Sequence, residues 1–284
     1  MPIASIIVPA FNDEFRLQKL MKSLKYQAFK DFEIIVVDDG SSDDTSKIAK
    51  EFTDKVIIHE KNKGPAAARN TGIKNALGKF LTFIDTDCIA DPYWLQEMIH
   101  SLDNTDFVMG NVSIHDSTYL GNCISALGFP AGANAGFERV WKVDKNGFTD
   151  HISSCNLGAK KEAFEKFGTF NESFPYAGGE DSELSFRVIK ANGKIKYNKK
   201  AKVWHEPRKD FIKWVKWQIY RGESNYHFQK AVKSVDSFIK LRGWYAINII
   251  KDNIFTKRAF LTIPLLGLSF IFQQLGYIKA RLKK

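Results

Sequence analysis

The sequence predicts an α/β protein built on a mostly parallel sheet with helices on both faces. Strand-like and helix-like segments alternate from residue 3 to residue 101, which is typical of strand–helix–strand units with parallel strands. The strands are continuous apolar runs such as 33–37 (EIIVV), which indicates burial on both faces of the sheet. Polar residues directly follow three of these strands, where such sheets place their ligands.

The elements follow in a regular order through the first hundred residues. Asp91 suits an N-cap and Pro92 the first helical position of one helix, and either Ser42 or Asp43 can cap an earlier one. The predicted elements are strand 3–9, helix 14–27, strand 32–37, helix 43–52, strand 55–59, helix 65–77, strand 79–84 and helix 92–101.

The chain is less regular after residue 105. Segment 117–150 is rich in Gly, Ala and Asn and fits neither period, so we expect a mobile or substrate-covering segment there. We predict two domains, 1–205 and a helical, basic and aromatic extension over 206–284. The remaining predicted elements are strand 106–115, helix 160–167, a Gly-hinged loop and helix within 178–193, and short strands near 195–197 and 201–204.

Composition restricts the class of protein. Of the 284 residues, 44% are hydrophobic and 13% aromatic, without a low-complexity tract, so the chain is expected to fold. Its three cysteines form no CxxC pair, so neither a disulfide framework nor a zinc cluster is indicated, and a reducing cytosol is favoured. Residues 1–12 lack the charged segment of a signal peptide.

Three strand ends predict one shared site. PAFN (9–12), DDGS (38–41) and DTD (85–87) follow the first, second and fourth predicted strands, so parallel pairing brings them to one edge. Asp85 and Asp87, one residue apart, can hold a hard divalent cation that shares its shell with phosphates. The alternative is an acidic turn that caps the next helix, although Asp91 supplies the better cap.

The acids after the second strand have structural and functional interpretations. Asp43 and Asp44 fit helix capping, whereas Asp38 and Asp39 precede the cap and can accept hydrogen bonds from the ring N–H and ribose hydroxyls of a nucleotide. No GxGxxG follows the first strand and no GxxxxGK[ST] is present. The phosphate cradles of Rossmann and P-loop proteins are therefore missing, and a metal would have to meet the phosphates.

Three further residues are candidates for the same site. Arg69, in the Ala-rich helix 65–77, is either a surface residue or a contact to phosphate or base. Asp181 is the candidate general base, because two glycines ahead of it allow a sharp turn toward a crevice. His205 is either a core histidine or an imidazole ligand of the metal.

Five motifs together resemble the nucleotide-sugar-binding pattern of inverting family 2 glycosyltransferases, which have the GT-A fold. They occur in the family's order and spacing and cover roughly residues 3–205. The resemblance implies that 1–205 is a GT-A (Rossmann-like) nucleotide-sugar-binding and catalytic domain. The motifs are SIIVPAFNDE, FEIIVVDDGSSDDT, NKGPAAARNTGI, FLTFIDTDCIADPYWL and GGEDSELSFRV.

The resemblance also implies roles for single residues. Asp87 would ligate Mg²⁺ or Mn²⁺ at the donor diphosphate, with Asp85, which contacts ribose or sugar, and His205 as further candidate ligands. Asp181, beside Glu180 in the ED motif, would deprotonate the acceptor hydroxyl as it attacks the anomeric carbon opposite the leaving nucleoside diphosphate. The residues implied around the donor, with uridine favoured and Asp39 or Asp38 on the base, are Pro9, Asn12, Asp38, Asp39, Arg69, Asp85 and Thr86.

The sequence departs from the family pattern at two places. Thr86 and Cys88 stand where many relatives carry small and acidic residues, a change that can alter sugar selection but keeps the acid pair. The Q-x-x-R-W motif typical of processive synthases is absent, and 217–222 reads WQIYRG. We therefore predict that one sugar is added per encounter.

The C-terminal region predicts an anionic membrane surface as a partner. Residues 194–284 hold 21 Lys and Arg against 5 Asp and Glu, net +16, whereas 1–193 have net −6. Segment 259–278 is uncharged and long enough to span a bilayer, but Pro and Gly interrupt it, so a helix lying in the interface is favoured over a span or a buried core helix. We expect the cytoplasmic face of the cell membrane, with peripheral or C-terminal attachment, and a lipid-linked or envelope glycan as acceptor.

Three rival functions fit parts of the sequence. A nucleic-acid-binding protein would use the basic region, but it leaves the acidic crevice unexplained. A non-catalytic nucleotide-sugar-binding protein would not need Asp85, Asp87 and Asp181 together. A sugar nucleotidyltransferase usually begins with a Gly-rich loop carrying Arg and Lys, which VPAFNDEFR is not.

Overall fold

The computed structural model describes residues 1–174, 176–232 and 236–283, without the side chains of 236–242. Its described strands form one nine-stranded sheet. In chain order they are β1 (Ala4–Ala10), β2 (Phe32–Asp38), β3 (Val56–Ile58), β4 (Phe80–Ile84), β5 (Cys88–Ala90), β6 (Phe107–Ile114), β7 (Phe148–Thr149), β8 (Asn156–Lys160) and β9 (Ile195–His205).

Helices pack against this sheet and form a C-terminal layer beyond it. The central strand β1 is buried along its whole length, so both of its faces are covered. The helices are α1 (Glu14–Lys25), α2 (Thr45–Lys50), α3 (Pro65–Asn75), α4 (Trp94–Leu102), α5 (Tyr119–Ser125), α6 (Phe137–Val140), α7 (Lys161–Phe167), α8 (Glu180–Lys190), α9 (Phe211–Val232), α10 (Asp236–Asn253) and α11 (Ala259–Leu282), with a 3-10 turn at Ala133–Ala135.

The strand order brings the predicted strand ends together. It runs β3-β2-β1-β4-β8-β6-β9-β5, with β7 paired to β9. β1 is parallel to β2 and β4, and β2 is parallel to β3, as the sequence predicts. β8 is antiparallel to β4 and β6, and β5 and β7 are antiparallel to β9. The predicted α/β class is confirmed, and the sheet is mixed because these later strands reverse direction.

Local structure differs from the sequence prediction at several points. The helix predicted from Pro92 begins at Trp94, because the Asp91 carboxylate and carbonyl accept the Tyr93 and Trp94 N–H groups in a preceding turn. The two strands predicted near 195–197 and 201–204 are one strand, β9, whose pairing with β6 shifts register between Gly110 and Asn111. Strands β5 and β8 are not predicted, since both are short and β8 (NLGAK) lacks an apolar run.

The C-terminal helices share a second apolar core with segment 117–150. Cys123, Leu127 and Val140 from that segment pack with Trp214 of α9 and Ile249 of α10. The segment forms α5, the 3-10 turn and α6, so it is helical in part where the sequence predicts a mobile or substrate-covering stretch. The helical extension of 206–284 is therefore built onto this segment rather than onto the sheet alone.

Helices α9 and α11 approach closely at two glycines. A Cβ on Gly222 would lie 2.0 Å from the Gln273 carbonyl oxygen, and one on Gly276 would lie 2.0 Å from the Ile219 carbonyl oxygen. Both distances are far below van der Waals contact, and the obstacle is backbone in each case. Any side chain at Gly222 or Gly276 must therefore separate the two helices.

We expect Gly222→Ala to lower the free energy of unfolding by about 1–3 kcal/mol, because overpacking at a fixed backbone contact displaces whole elements. Gly267→Ala in α11 is the matched control, since a Cβ there meets no atom within 4 Å. That change should stabilise the helix by roughly 0.5–1 kcal/mol. Urea unfolding of both variants measures the effects, and equal midpoints would contradict the close approach.

Candidate active site

Asp87 and His205 meet because β5 pairs with β9. The turn after β4 carries the acid pair, and the next strand sets Cys88 opposite His205 in antiparallel register. Asp87 Oδ2 then lies 3.2 Å from His205 Nε2, and the Asp87 carbonyl accepts the Glu206 N–H at 2.8 Å. The Asp87 side chain is 21% exposed and that of His205 only 3%. The two side chains are therefore held together by backbone pairing, with Asp87 partly exposed to solvent and His205 buried.

The hydrogen bonds of His205 fit a metal ligand. Its Nδ1 lies 2.8 Å from the Glu206 carbonyl oxygen, so the Nδ1–H group donates to that carbonyl. Nε2 lies on the side of the Asp87 carboxylate. In the tautomer that carries its proton on Nδ1, Nε2 could ligate a divalent cation together with Asp87, and an Nδ1–H bonded to a carbonyl is the usual support of a ligating histidine.

The thiol of Cys88 completes the group of potential ligand atoms with Asp87 and His205, which all lie within 4.8 Å of one another. Burial, and then the charge of Asp87, raise the pKa of the Cys88 thiol well above its ordinary value. A metal ligand must be the thiolate. The oxygen of Asp87 and the nitrogen of His205 are therefore better candidate donors than the Cys88 thiol.

Arg69 links the acid pair to the ED motif. From α3 it places NH2 2.9 Å from Asp85 Oδ1 and NH1 2.9 Å from Glu180 Oε1. The Arg69 side chain is 2% exposed and that of Glu180 1%, so the surface alternative for Arg69 is wrong. The second oxygen of Glu180 accepts the Gly178 N–H at 2.8 Å. The structure thus places Arg69 and Glu180 behind the acids as supports of their geometry.

Asp181 lies next to this buried ion pair at the start of α8. The turn ahead of it uses Gly178 at φ +99°, a conformation that suits glycine, as the predicted Gly-hinged loop requires. Its Oδ1 accepts the Ser182 N–H at 2.7 Å. Burial and the charge of Glu180 raise the pKa of Asp181 to about 7, although Arg69 opposes the shift. A carboxyl with a pKa near neutrality can exchange a proton with a hydroxyl as a general base.

The residues predicted around the nucleoside hold three loops together. Asp39 accepts the N–H groups of Lys63 and Gly64 at 3.0 and 2.8 Å and contacts His59 Nδ1 at 2.6 Å. Asp38 accepts the Ser41 N–H at 2.9 Å. Both aspartates are almost fully buried, at 3% and 1% exposure. Their carboxylates therefore fix the loop after β2 and its contact with the loop that precedes α3.

The other predicted donor residues lie in β1 or directly after β1 and β4. Pro9 is buried in β1 opposite Val37 of β2, and Asn12, at φ +49°, accepts the Ser42 N–H through its side chain at 2.8 Å. Thr86 is 8% exposed, and its hydroxyl donates to Asp13. Thr86 thus ties the acid-pair turn to Asp13, the residue that precedes α1.

Sequence reasoning missed Arg208. Its NH1 is buried and has no hydrogen-bond partner among the described residues, and its guanidinium carbon lies 4.3 Å from the centroid of the Trp217 ring. Burial lowers the pKa of Arg208, while the nearby charges of Asp87 and Asp85 oppose this shift. The signal was present in the sequence as a basic residue three positions after the strand-end histidine.

A cavity of about 580 Å³ opens beside Asp181. Asp181, Ser182 and Gly178 line this cavity, and helices α9, α10 and α11 supply much of its wall. The C-terminal helices therefore help to build the site, next to the predicted base.

A mixed α/β sheet with an acid pair and a histidine at its strand ends is the arrangement expected of glycosyltransferases with the GT-A fold. Residues 5–166 match the sequence model described as Glycosyl transferase family 2. This match covers more than half of the chain. The protein therefore belongs to glycosyltransferase family 2, which confirms the predicted family, and the inverting mechanism stays a prediction.

Related proteins place the chain in the same family. Glycosyltransferase AglE of Haloferax volcanii is 35% identical over 179 residues, 60% of this chain and 56% of AglE. UDP-Glc:alpha-D-GlcNAc-diphosphoundecaprenol beta-1,3-glucosyltransferase WfaP of Escherichia coli is 27% identical over 91% of this chain and 98% of WfaP. Several curated relatives are longer than this chain. The matched region spans only 21% of an uncharacterized glycosyltransferase of Rickettsia conorii and 22% of one of Rickettsia felis.

A solved structure shares the whole fold. The mannosyltransferase PcManGT from Pyrobaculum calidifontis, in complex with GDP-Man and Mn²⁺, superposes with a TM-score of 0.66 at 16% identity. The superposition covers 100% of this chain and 88% of that chain. The C-terminal helices thus belong to an architecture that this solved glycosyltransferase also has.

Proposed function

We propose that the protein is a metal-dependent inverting glycosyltransferase that moves a sugar from a nucleoside-diphosphate sugar, with UDP-sugar favoured, to a hydroxyl of a lipid-linked or envelope glycan. The observation that carries the proposal is Arg69. One buried guanidinium bonds both Asp85 of the acid pair and Glu180 beside Asp181. The cation-binding acids and the candidate base therefore belong to one site of fixed dimensions.

The donor side of the reaction uses the strand-end residues. Asp87 and His205 would hold Mn²⁺ or Mg²⁺, which neutralises charge on the leaving diphosphate. Asp85 retains a partly exposed carboxylate, with 31% of its side chain accessible, and it would contact ribose or sugar. Arg208 would add a second positive charge for the diphosphate, since its buried NH1 has no partner among the described residues.

The acceptor side uses Asp181. Its carboxylate takes the proton of the acceptor hydroxyl as that oxygen bonds to the anomeric carbon. The bond from the anomeric carbon to the diphosphate oxygen breaks on the opposite face, and the nucleoside diphosphate leaves with the electron pair. One displacement inverts the anomeric centre. Base recognition would fall to Asp38 and Asp39, with Pro9 and Asn12 nearby.

The proposal is tested with a screen of nucleotide sugars for release of nucleoside diphosphate, with Mn²⁺, with Mg²⁺ and with EDTA. We expect one or a few uridine or guanosine diphosphate sugars to be consumed, and EDTA to stop the release. Consumption of no nucleotide sugar, or release that is indifferent to EDTA, would overturn the proposal. The names of WfaP and PcManGT mention UDP-Glc and GDP-Man, so both nucleotides belong in the screen.

We also propose that the C-terminal helices lie on an anionic membrane. Among the described residues, α11 is the one helix long and apolar enough to cross a bilayer, with a mean hydropathy of 1.5 and 33% of its apolar window buried. It packs on α9 through Gly276, which suits an interfacial helix attached to the protein. Phe255 and Phe260 are 97% and 89% exposed beside Lys257 and Arg258. Aromatic and basic side chains in one turn are typical of an interfacial anchor.

The double variant Phe255→Glu/Phe260→Glu should lower binding to phosphatidylglycerol-containing liposomes at least about tenfold, because it removes apolar contact and repels the anionic surface. Flotation measures the bound fraction. Tyr26→Glu, at a 76% exposed position after α1, is the control and should float like the parent. Equal flotation of the double variant and the parent would contradict the proposal that this region binds an anionic membrane.

A further inference from the structure

The cavity beside Asp181 has the properties of a site for an amphiphile. Its aromatic wall comes from both the α/β part and the C-terminal layer, namely Phe129, Trp141, Phe186, Trp217, Trp244 and Tyr245. Aromatic rings supply apolar area but few hydrogen-bond partners, so they do not match a glycan along its whole length. A volume of about 580 Å³ is sufficient for one sugar-sized group and the first part of an attached chain.

A guanidinium group stands among these rings. Arg221 of α9 lines the cavity, and its guanidinium carbon lies 3.8 Å from the centroid of the Phe129 ring and 4.9 Å from that of Trp217. The same indole supports Arg208, which lies near the acid pair. Both guanidinium groups therefore stack on Trp217: Arg208, near the acid pair, and Arg221, which lines the cavity. Guanidinium groups among apolar walls bind phosphate strongly, because the fork geometry matches its oxygens.

The cavity lining carries other titratable groups besides Arg221. His151 stacks on Trp141, and burial together with the charge of Arg221 lowers its pKa to about 3, so the imidazole is neutral. Lys142 is a second cation of the lining, and Asp150 and Asp181 are the acids. Burial raises the pKa of both acids, to about 7 for Asp181.

We propose that this cavity binds the acceptor as a sugar joined through a diphosphate to a lipid. The sugar hydroxyl lies at Asp181, the diphosphate at Arg221, and the first apolar units of the lipid along the aromatic wall toward α10 and α11. This inference rests on the proposed function, since it assigns the acceptor of the same site. It explains why the base, a cation and an apolar wall share one cavity, which neither a soluble glycan nor a protein acceptor requires.

The test is equilibrium binding of n-decyl diphosphate to the full chain, followed by tryptophan fluorescence, since three indoles line the cavity. EDTA is present, so that no divalent cation can hold the probe at Asp87. We expect n-decyl diphosphate to bind at least tenfold more tightly than inorganic diphosphate or n-decyl maltoside. Inorganic diphosphate lacks the alkyl chain, and n-decyl maltoside lacks the anionic diphosphate. Affinity equal to either control compound would overturn the proposal.

Two variants locate the probe. Arg221→Gln should weaken n-decyl diphosphate at least tenfold. Ile189→Glu puts a carboxylate on the lining of the cavity at a position 39% exposed, and it should weaken the probe similarly by repulsion. Ile212→Glu, in α9 at a position 68% exposed and outside the cavity lining, makes the same change and should leave affinity within twofold. Unchanged binding in Ile189→Glu, or equal loss in both isoleucine variants, would overturn the assignment.

Binding of uridine or guanosine diphosphate with Mn²⁺ separates this inference from the proposed function. Arg221→Gln and Ile189→Glu should retain that binding within twofold, which also shows that they are folded. Asp87→Ala should lose it and keep the n-decyl diphosphate affinity measured in EDTA. If the nucleotides bind and the lipid diphosphate does not prefer the cavity, the acceptor assignment alone fails. If the reverse is found, the donor assignment alone fails.

Discussion

Asp87→Ala is expected to lower kcat/KM for sugar transfer at least about 100-fold, because a ligand that helps to hold the cation contributes several kcal/mol to the stabilisation of the leaving diphosphate. Asp87 is the carboxylate nearest to His205, at 3.2 Å, and it is accessible from the crevice. Its removal leaves His205 Nε2 without a partner for the cation. The Mn²⁺ affinity and the affinity for nucleoside diphosphate should fall together, since each is bound through the other.

Titration with Mn²⁺ in the presence of nucleoside diphosphate measures this effect directly. Asp103→Ala is the matched control, since Asp103 is an exposed aspartate at the end of α4 and lies outside the site. It should bind Mn²⁺ and turn over like the parent. An Asp87→Ala enzyme that kept the parental Mn²⁺ affinity would exclude Asp87 as a ligand and would move the metal to another part of the crevice.

The parallel part of the fold could be predicted because its signals are local. β1, β2 and β4 are continuous apolar runs buried along most of their length, and polar residues follow each of them in the sequence. β8 could not be predicted in this way. Its Gly158 packs under Met98, where a Cβ would lie 3.2 Å from the sulfur, so tertiary packing and not an apolar run fixes this strand.

The acidic residues of the candidate site could be predicted from the sequence, but the contacts between the site residues could not. The sequence identifies Asp87 and His205 separately, but they meet through the antiparallel pairing of β5 with β9, and β5 is too short to predict. Arg69 could be a surface residue or a ligand contact by sequence, and it is a buried link between two acids. Arg208 and Arg221 are found only when the fold stacks both on Trp217. The type of a residue predicts the chemistry it can perform, and long-range packing decides which residues come together in one site.

Asp181→Asn is expected to lower kcat about 10²–10⁴-fold, because the amide cannot accept the proton of the acceptor hydroxyl. Asn is nearly isosteric, and Glu180 with Arg69 would still shape the turn. The affinities for Mn²⁺ and for the nucleoside diphosphate should therefore remain within about twofold of the parent. Single-turnover transfer together with nucleotide titration measures the two effects, and Asp103→Asn is the exposed control. Parental turnover in Asp181→Asn would assign the base to another group.

The pH dependence gives an independent check on Asp181. Burial and Glu180 raise its pKa to about 7, so kcat/KM of the parent should fall about tenfold per pH unit below pH 7 as the base becomes protonated. The folded pKa lies above the unfolded value of about 3.9. The contribution of Asp181 to stability is therefore fully present below about pH 4 and lost as pH rises through 7. Asn does not titrate, so Asp181→Asn should gain stability relative to the parent between pH 4 and pH 8. The Asn variant of a carboxylate that is kept in an unfavourable environment for catalysis should gain stability and lose turnover. The Asn variant of a merely structural aspartate should lose both stability and turnover.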